Sequence, residues 1–131
     1  MNGSVLIVDD DANIREVLCS MLAFAGYEPL TAVDGVDALE KIEQHHPDMV
    51  ILDIMMPNMD GLTACRVLKR QSETANLPVI LLSGKSHLTL EEKSLTGYAD
   101  KYLSKPVSMQ ELVVNLQEVA VNPGILYQNS H

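Results

Sequence analysis

The chain has 131 residues, 47% hydrophobic and 4% aromatic, which suits one domain built around an aliphatic core. Its formal net charge of −9 argues against direct nucleic-acid binding, because phosphate contacts need clustered lysine and arginine, although an acidic surface can favour basic protein partners. No apolar run approaches the ~18 residues of a membrane-spanning helix, and no basic stretch precedes an apolar one at the N-terminus. We therefore predict a cytoplasmic protein without membrane contact.

Strand and helix signals alternate through the first half of the chain. Strands are predicted where short apolar runs end in turn residues, and helices where apolar residues recur at helical spacing after a capping residue. In chain order these are strand Val5–Val8, a helix from the caps at 11–13 to Gly26, strand Tyr27–Ala32, a short helix after Asp34 and Gly35, and strand Met49–Leu52.

The second half repeats the alternation. Its predicted elements are helix Gly61–Gln71, strand Pro78–Leu82, helix Leu88–Thr96, strand Lys101–Leu103 and a last helix capped by Ser108. We expect Asn-Pro-Gly at 122–124 to end that helix, so that residues 1–121 form the domain and 122–131 a C-terminal tail or linker stub.

The two cysteines, Cys19 and Cys65, both fall in predicted helices and lack CxxC spacing. Free thiols, buried or half-buried, are the expected state of such residues. A reducing compartment is consistent with this usage.

Strands that alternate with helices predict an α/β domain with a parallel sheet and helices on both faces. In such sheets the functional residues lie beyond the carboxyl ends of the strands. Asp9 and Asp10 follow the first strand and Asp53 follows the third, so we expect these carboxylates to meet at one edge. Carboxylates within ~4–6 Å of one another repel, and Mg²⁺, which prefers oxygen ligands, would relieve that repulsion.

A hydroxyl and an ammonium complete the predicted cluster, because Ser83 follows the fourth strand and Lys105 the fifth. A carboxylate can act as a nucleophile towards phosphorus and form an aspartyl phosphate. Such a transfer depends on positioning and charge stabilisation, for which Ser83 and Lys105 are suitable.

These motifs, in this order and spacing, resemble those of receiver domains of two-component response regulators, similar to the chemotaxis regulator, over about residues 4–120. The matching segments are Val8-Asp9-Asp10, Asp53-Ile54-Met55-Met56-Pro57 with Asp60-Gly61, Leu82-Ser83-Gly84 and Tyr102-Leu103-Ser104-Lys105-Pro106. The resemblance implies a flavodoxin-like, doubly wound sheet of five parallel strands in the order 2-1-3-4-5, with five helices.

The resemblance also implies the metal and phosphoacceptor residues. Asp53 would be the phosphoacceptor and a ligand of the Mg²⁺ cofactor. Asp10 would bind Mg²⁺ directly, and Asp9 largely through water. The backbone carbonyl of Met55 would be a further protein ligand.

The remaining implied residues belong to the response. Ser83 would be the switch hydroxyl and Tyr102 the switch aromatic residue. Lys105 would pair with the phosphate, and the peptide bond between Lys105 and Pro106 is expected to be cis.

The implied function is a signalling switch that takes part in its own phosphorylation and dephosphorylation, and not an enzyme. A histidine kinase or histidine phosphotransfer protein would donate to Asp53. The face formed by helix 4, strand 5 and helix 5 would then change its affinity for an output protein or domain outside this chain, or for a second copy in a homodimer.

Three alternative functions are less consistent with the sequence. An aspartyl-phosphate phosphatase of the haloacid-dehalogenase type needs a second acid two residues after the nucleophile, where this chain has Met55. A nucleotide-binding Rossmann module needs a G-x-G-x-x-G motif after the first strand, which is missing. A phosphate-independent interaction domain is disfavoured because all the site residues are present.

One junction departs from the family pattern. Where the family often has Gly-Ala-Asp before the fifth strand, this chain has Tyr98-Ala99-Asp100, with Gly97 one place earlier. We expect either a shifted end of helix 4 or a less favourable backbone conformation at Tyr98.

Overall fold

The computed structural model describes residues 3–84 and 88–129. Strands and helices alternate as β1 (Ser4–Val8), α1 (Ala12–Phe24), β2 (Glu28–Ala32), α2 (Gly35–His45), β3 (Met49–Asp53), α3 (Gly61–Arg70), β4 (Val79–Ser83), α4 (Leu90–Thr96), β5 (Lys101–Ser104) and α5 (Met109–Asn129). All strand pairs are parallel, and the sheet order is β2-β1-β3-β4-β5. The predicted flavodoxin-like topology is therefore confirmed.

The core lies on both faces of the sheet. Because successive side chains of a strand point to opposite faces, each central strand contributes to two clusters. One cluster joins the sheet to α2 and α3 and the other joins it to α1 and α5. Strands β3 and β4 are buried at every residue, and each fully buried aliphatic side chain stabilises the fold by roughly 1.5–3 kcal/mol. The ends of these two strands are therefore held on a well-packed support.

Three helices begin at an aspartate side chain. The Oδ1 atoms of Asp11, Asp34 and Asp60 each accept a backbone N–H from a residue two or three positions later, at 2.8 Å. These bonds satisfy donors that the first helical turn leaves unpaired. Since parallel strands enter their helices at one edge of the sheet, all three caps lie at the edge where the strands end.

Every strand boundary lies within one residue of its prediction, and the shifts of β2 and β4 have a visible cause. Tyr27 precedes β2 because its N–H donates to the Leu22 carbonyl at 2.9 Å, a bond that closes the end of α1. Strand β4 begins after Pro78, which has no N–H to donate, and it extends to include Ser83.

Helix α4 begins at Leu90, two residues later than predicted. Thr89 explains the shift, because it forms a reciprocal capping box with Glu92. The Thr89 hydroxyl accepts the Glu92 N–H at 3.0 Å, and the Glu92 carboxylate accepts the Thr89 N–H at 2.9 Å.

The predicted end of the last helix at residues 122–124 is wrong, because α5 spans Met109–Asn129. A proline removes one backbone donor and bends a helix, and it need not end it. The division into a domain at 1–121 and a tail at 122–131 stays a prediction. Within the described part of the chain, no helix combines the length and apolar character needed to cross a membrane.

Tyr98 is not strained. Among the described residues, the non-glycine positions with positive φ are His46 and Asn58. Helix α4 ends at Thr96, and the Tyr98 hydroxyl lies 3.5 Å from Arg70 Nη2, with the guanidinium 6.0 Å from the ring centroid. The bulky residue at this junction is thus accommodated by packing against α3.

Both cysteines are free thiols, as predicted. Cys65 in α3 is fully buried, and burial raises the pKa of its thiol to about 11. Cys19 in α1 is half-buried, and burial also raises the pKa of its thiol, against the opposing charge of Arg15.

Candidate functional site

Three carboxylates meet at the C-terminal edge of the sheet. Strands β1 and β3 are neighbours in which Val8 pairs with Leu52, so the next residues, Asp9 and Asp53, lie side by side. Ligand oxygens of Asp9, Asp10 and Asp53 all lie within 4.8 Å of one another. Asp9 is 1% exposed and Asp53 4%, whereas Asp10 faces solvent. Asp9 and Asp53 are thus buried in the edge of the sheet, and Asp10 lies at the solvent-exposed rim of the cluster.

Lys105 bridges the two buried acids. Its Nζ lies 2.8 Å from Asp9 Oδ2 and 3.1 Å from Asp53 Oδ1. The Lys105 N–H donates to the Ser83 carbonyl at 2.8 Å, which continues the β4–β5 pairing, and the following Lys105–Pro106 peptide bond is cis. The ammonium therefore reaches across the sheet edge from β5 to β1 and β3, over a sequence separation of 96 residues from Asp9.

Burial and like charge control the ionisation of this cluster. Burial raises the pKa of the Asp53 carboxyl, the charge of Asp9 raises it further, and Lys105 opposes both without reversing the shift. Burial alone would lower the pKa of Lys105, but hydrogen bonds and charge from Asp9 and Asp53 raise it overall. Three carboxylates against one ammonium leave an excess of negative charge. The site is therefore suited to a cation.

The donor set fits Mg²⁺. It consists of carboxylate oxygens, the ligands that this ion prefers, without the nitrogen or sulfur donors typical of zinc. In the described part of the chain, it is also the one group of three or more metal-ligating side chains that converge. Asp9, Asp10 and Asp53 could hold the ion, and the exposed Met55 follows Asp53 by two residues.

The segment after Asp53 is held close to the sheet. The Ile54 N–H donates to the Leu82 carbonyl at 2.9 Å, and the Ile54 carbonyl accepts the Gly61 N–H at 3.1 Å. A Cβ atom on Gly61 would collide with the Asp53 carbonyl oxygen, so only glycine fits there. The Met55 N–H points back to Asp53 Oδ1 at 3.4 Å. The loop thus starts and ends beside the acid cluster.

Ser83 and Tyr102 lie on the adjoining strands. In the β3–β4 pairing Asp53 is opposite Leu82, so Ser83 is one residue beyond the acid, and it is 1% exposed. Tyr102 pairs with Leu81 and packs, half-buried, against the cluster on the α2–α3 side of the sheet. The structure therefore places Ser83 beside the acid cluster. Tyr102 lies in β5, two residues before Ser104.

The comparison with known proteins is decisive at the level of the family. The family model described as "Response regulator receiver domain" matches residues 5–117. The chain belongs to the response regulator receiver domain family. This membership argues against the two alternatives from other families, the phosphatase and the Rossmann module.

Curated relatives of this receiver domain are longer proteins. Response regulator MprA of Mycobacterium sp. (strain KMS) is 40% identical over 113 residues, which cover 86% of this chain and 48% of the relative. MprA of Mycobacterium tuberculosis (strain ATCC 25177 / H37Ra) is 38% identical over 117 residues, which cover 89% of this chain and 50% of the relative. The chain spans about half the length of these relatives.

Two solved structures of similar proteins are matched by this receiver domain over nearly their whole chains. TrrA from Thermotoga maritima, in complex with Mg(2+)-BeF, is 34% identical with a TM-score of 0.80, covering 88% of this chain and 97% of that one. A CheY-like receiver domain protein from Methanospirillum hungatei JF-1 is 28% identical with a TM-score of 0.83, covering 92% and 94%.

Sequence reasoning missed contacts that support the site of the receiver domain. Arg15 Nη1 donates to the Asp9 carbonyl at 2.6 Å, which ties α1 to the end of β1. Asn58 Nδ2 donates to Asp34 Oδ2 at 2.7 Å, which ties the loop after Asp53 to the start of α2. Hydrogen bonds to the Asp37 N–H and then to Asn58 lower the pKa of Asp34. The one local signal was Asn58 itself, in a turn where asparagine tolerates positive φ.

The raised pKa of Asp53 has a consequence for stability. We expect the Asp53→Asn variant of the metal-free receiver domain to melt a few degrees above wild type at neutral pH, a gain of about 1 kcal/mol. The folded state binds the Asp53 proton more tightly than the unfolded state, so the ionised carboxylate destabilises the fold above its folded pKa. As pH falls towards the unfolded value of about 3.9, the gain should shrink and vanish.

Thermal unfolding by circular dichroism in a chelator, across this pH range, measures the effect. Asp48→Asn is the matched control, because Asp48 lies at the opposite edge of the sheet and accepts the Ser4 N–H at 2.8 Å. That variant should gain no stability. An Asp53→Asn variant no more stable than wild type at neutral pH would contradict the argument.

Proposed function

We propose that this receiver domain is a cytoplasmic, phosphorylation-controlled switch whose phosphoacceptor is Asp53, and that it is not an enzyme with turnover of its own. The observation that carries the proposal is the Asp53 carboxylate, 4% exposed and within the acid cluster, with Lys105 Nζ at 3.1 Å. Lys105 and the Met55 N–H both contact Oδ1. We assign Oδ2 as the nucleophile because these contacts orient the carboxylate by its other oxygen.

In the proposed reaction, an Asp53 oxygen bonds to the phosphorus of a phosphohistidine while the P–N bond breaks. The electron pair of that bond returns to the imidazole nitrogen, so the products are an acyl phosphate and histidine. Asp10, Asp53 and the Met55 carbonyl would hold Mg²⁺, with Asp9 acting through water, and the ion would supply positive charge to the phosphoryl oxygens. Lys105 then pairs with a phosphoryl oxygen in place of the Asp53 oxygen.

The strand pairing supports the proposed response. Ser83 is one residue beyond Leu82, the residue that pairs with Asp53. A phosphoryl group on Asp53 therefore adds negative charge close to Ser83 and draws the Ser83 hydroxyl inward. Tyr102 turns into the space that this movement opens. The face of α4, β5 and α5 then changes its affinity for an output protein or domain, or for a second copy. The change in affinity is bounded by how differently the partner binds the two states.

The donor is a histidine kinase or a histidine phosphotransfer protein, and an apolar groove beside the site supports its docking. The groove has a volume of about 420 Å³ and lies between α1 and residues 105–107, which link β5 to α5. Its lining includes Ile14, Val17 and Met21 of α1, with Pro106 and Lys105. Because Lys105 belongs both to the groove and to the acid cluster, a helix seated there would bring its histidine towards Asp53.

The groove predicts a split between two phosphodonors. Val17→Glu, at a position 52% exposed, should slow transfer from a phosphohistidine protein roughly tenfold or more, because a carboxylate would be buried in an apolar contact. Transfer from acetyl phosphate should be unchanged. Val114→Glu, 45% exposed on α5, is the matched control and should leave both rates at wild type. Equal losses with both donors would point to damage at Asp53 instead.

The switch itself is tested by phosphoryl incorporation. With Mg²⁺ and acetyl phosphate, intact-mass measurement should show one added phosphoryl group per chain, and beryllofluoride should bind stably. A phosphate-independent interaction domain would show neither result.

A further inference from the structure

We infer that Asp34 and Asn58 are positioning residues that hold the loop between β3 and α3 in the shape that presents the Met55 carbonyl to Mg²⁺. The inference rests on the proposed function, in which that carbonyl is a metal ligand. It assigns a part of the site to the start of α2, an element that contributes no residue to the acid cluster.

Two hydrogen bonds join the start of α2 to this loop, and we call them the α2 clamp. Asn58 Nδ2 donates to Asp34 Oδ2 at 2.7 Å, and the Gly35 N–H donates to the Met59 carbonyl at 3.1 Å. A Cβ atom on Gly35 would lie 2.5 Å from the Met59 oxygen and 2.8 Å from its side chain. The close approach that forms the clamp therefore requires glycine at position 35.

Asp34 and Asn58, the two partners of the side-chain hydrogen bond, are each held in place by a second feature. Asp34 Oδ1 accepts the Asp37 N–H at 2.8 Å, so the carboxylate is anchored to α2 while Oδ2 faces Asn58. Asn58 has φ of 67°, a conformation that asparagine tolerates better than most residues. The hydrogen bond to Asp34 thus selects one geometry at a turn with few alternatives.

The clamp acts on Met55 because the loop is short. Ile54 is fixed to the sheet through the Leu82 carbonyl at 2.9 Å and to α3 through the Gly61 N–H at 3.1 Å. Asn58 is fixed by the clamp. Residues 55–57 lie between these two anchors, and Pro57 restricts its own φ. The direction of the Met55 carbonyl therefore depends on how the loop is fixed at Ile54 and at Asn58. A variant that releases Asn58 frees one of these two anchors.

The test is Mg²⁺ binding to the unphosphorylated full chain, measured by calorimetry. Asn58→Gly keeps the positive φ and removes the amide, and Asp34→Ser keeps a helix-capping oxygen but removes the carboxylate oxygen that accepts from Asn58. Each should raise the Mg²⁺ dissociation constant about threefold to tenfold. The double swap, Asp34→Asn with Asn58→Asp, rebuilds the bond with donor and acceptor exchanged and should return within about twofold of wild type.

A purely structural contact predicts a different pattern. Asp37→Asn removes the same charge from the same helical turn without touching the loop, and it should leave the dissociation constant unchanged. Amide exchange at Met55 should quicken in both single variants and recover in the swap. Lower melting temperatures with unchanged Mg²⁺ affinity, or a swap that fails to recover, would overturn the inference, as would a wild type that binds no Mg²⁺. A wild type that binds Mg²⁺ but takes no phosphoryl group would overturn the proposed function alone.

Discussion

The Asp53→Asn variant is expected to take up no phosphoryl group from acetyl phosphate, a loss of at least about a thousandfold in rate. The amide retains the volume of the side chain but is not a nucleophile at neutral pH, so no P–O bond can form at this position. The neighbouring acids do not substitute for it, because both Asp9 oxygens are engaged, Oδ2 by Lys105 Nζ at 2.8 Å and Oδ1 by the Asp11 N–H at 2.9 Å, and Asp10 lies at the exposed rim of the cluster. Intact-mass measurement in Mg²⁺ reports the loss directly.

Asp48→Asn controls for the change of acid to amide, since it lies at the far edge of the sheet, where its carboxylate accepts the Ser4 N–H. It should be phosphorylated at the wild-type rate. Uptake of a phosphoryl group by Asp53→Asn at a comparable rate would show that another residue is the acceptor, and peptide mapping would then identify it.

Lys105→Met is expected to have the second largest effect, slowing phosphorylation by acetyl phosphate on the order of a hundredfold. The ammonium that pairs with the phosphoryl oxygens in the proposed reaction is lost. Two buried carboxylates, Asp9 and Asp53, also lose their partner, which costs about 3–5 kcal/mol when one member of a buried ion pair is removed. In a chelator the variant should therefore melt well below wild type, and Mg²⁺ should restore much of the difference.

Lys101→Met is the matched control, because Lys101 also forms an ion pair, at 3.0 Å from Glu118, on an exposed part of β5 and α5. Exposed pairs stabilise by about 0–1 kcal/mol, so its melting temperature and phosphorylation rate should stay near wild type. If both lysine variants behaved alike, the role assigned to Lys105 would be untenable.

The fold was predictable because its strongest signals are local. The apolar runs of β3 and β4 are buried at every residue, and such runs separated by helical patterns predict a parallel sheet. In a parallel sheet the strand ends share one edge, so Asp9 and Asp53 could be brought together without knowledge of distances. Strand β2, which is more polar than the central strands, lies at one edge of the sheet. The full strand order came from resemblance, since periodicity carries no strand order.

The contacts that fix the site's geometry were not predictable. Asn58 and Asp34 are 24 residues apart, and nothing local to either shows that they meet. Arg15 reaches a backbone carbonyl, which leaves no mark in the sequence. The end of α5 was mispredicted for the opposite reason. Pro123 is a strong local signal for the end of a helix, but this helix continues past it. The local sequence pattern thus predicts the helices and strands and, approximately, their ends. Contacts between loops that are distant in sequence are known only from the three-dimensional structure.

The burial of Cys65 gives the chain an internal reporter of unfolding. The thiolate is the form that attacks thiol reagents, and with a pKa of about 11 only about one Cys65 in ten thousand is ionised at neutral pH. Its side chain is also fully covered by the cluster on the α2–α3 side of the sheet, so a reagent must wait for that face to open. In a Cys19→Ser background, the rate of Cys65 alkylation would follow the opening free energy of this half of the core. Comparing that rate with and without acetyl phosphate would show whether phosphorylation tightens the core or loosens it.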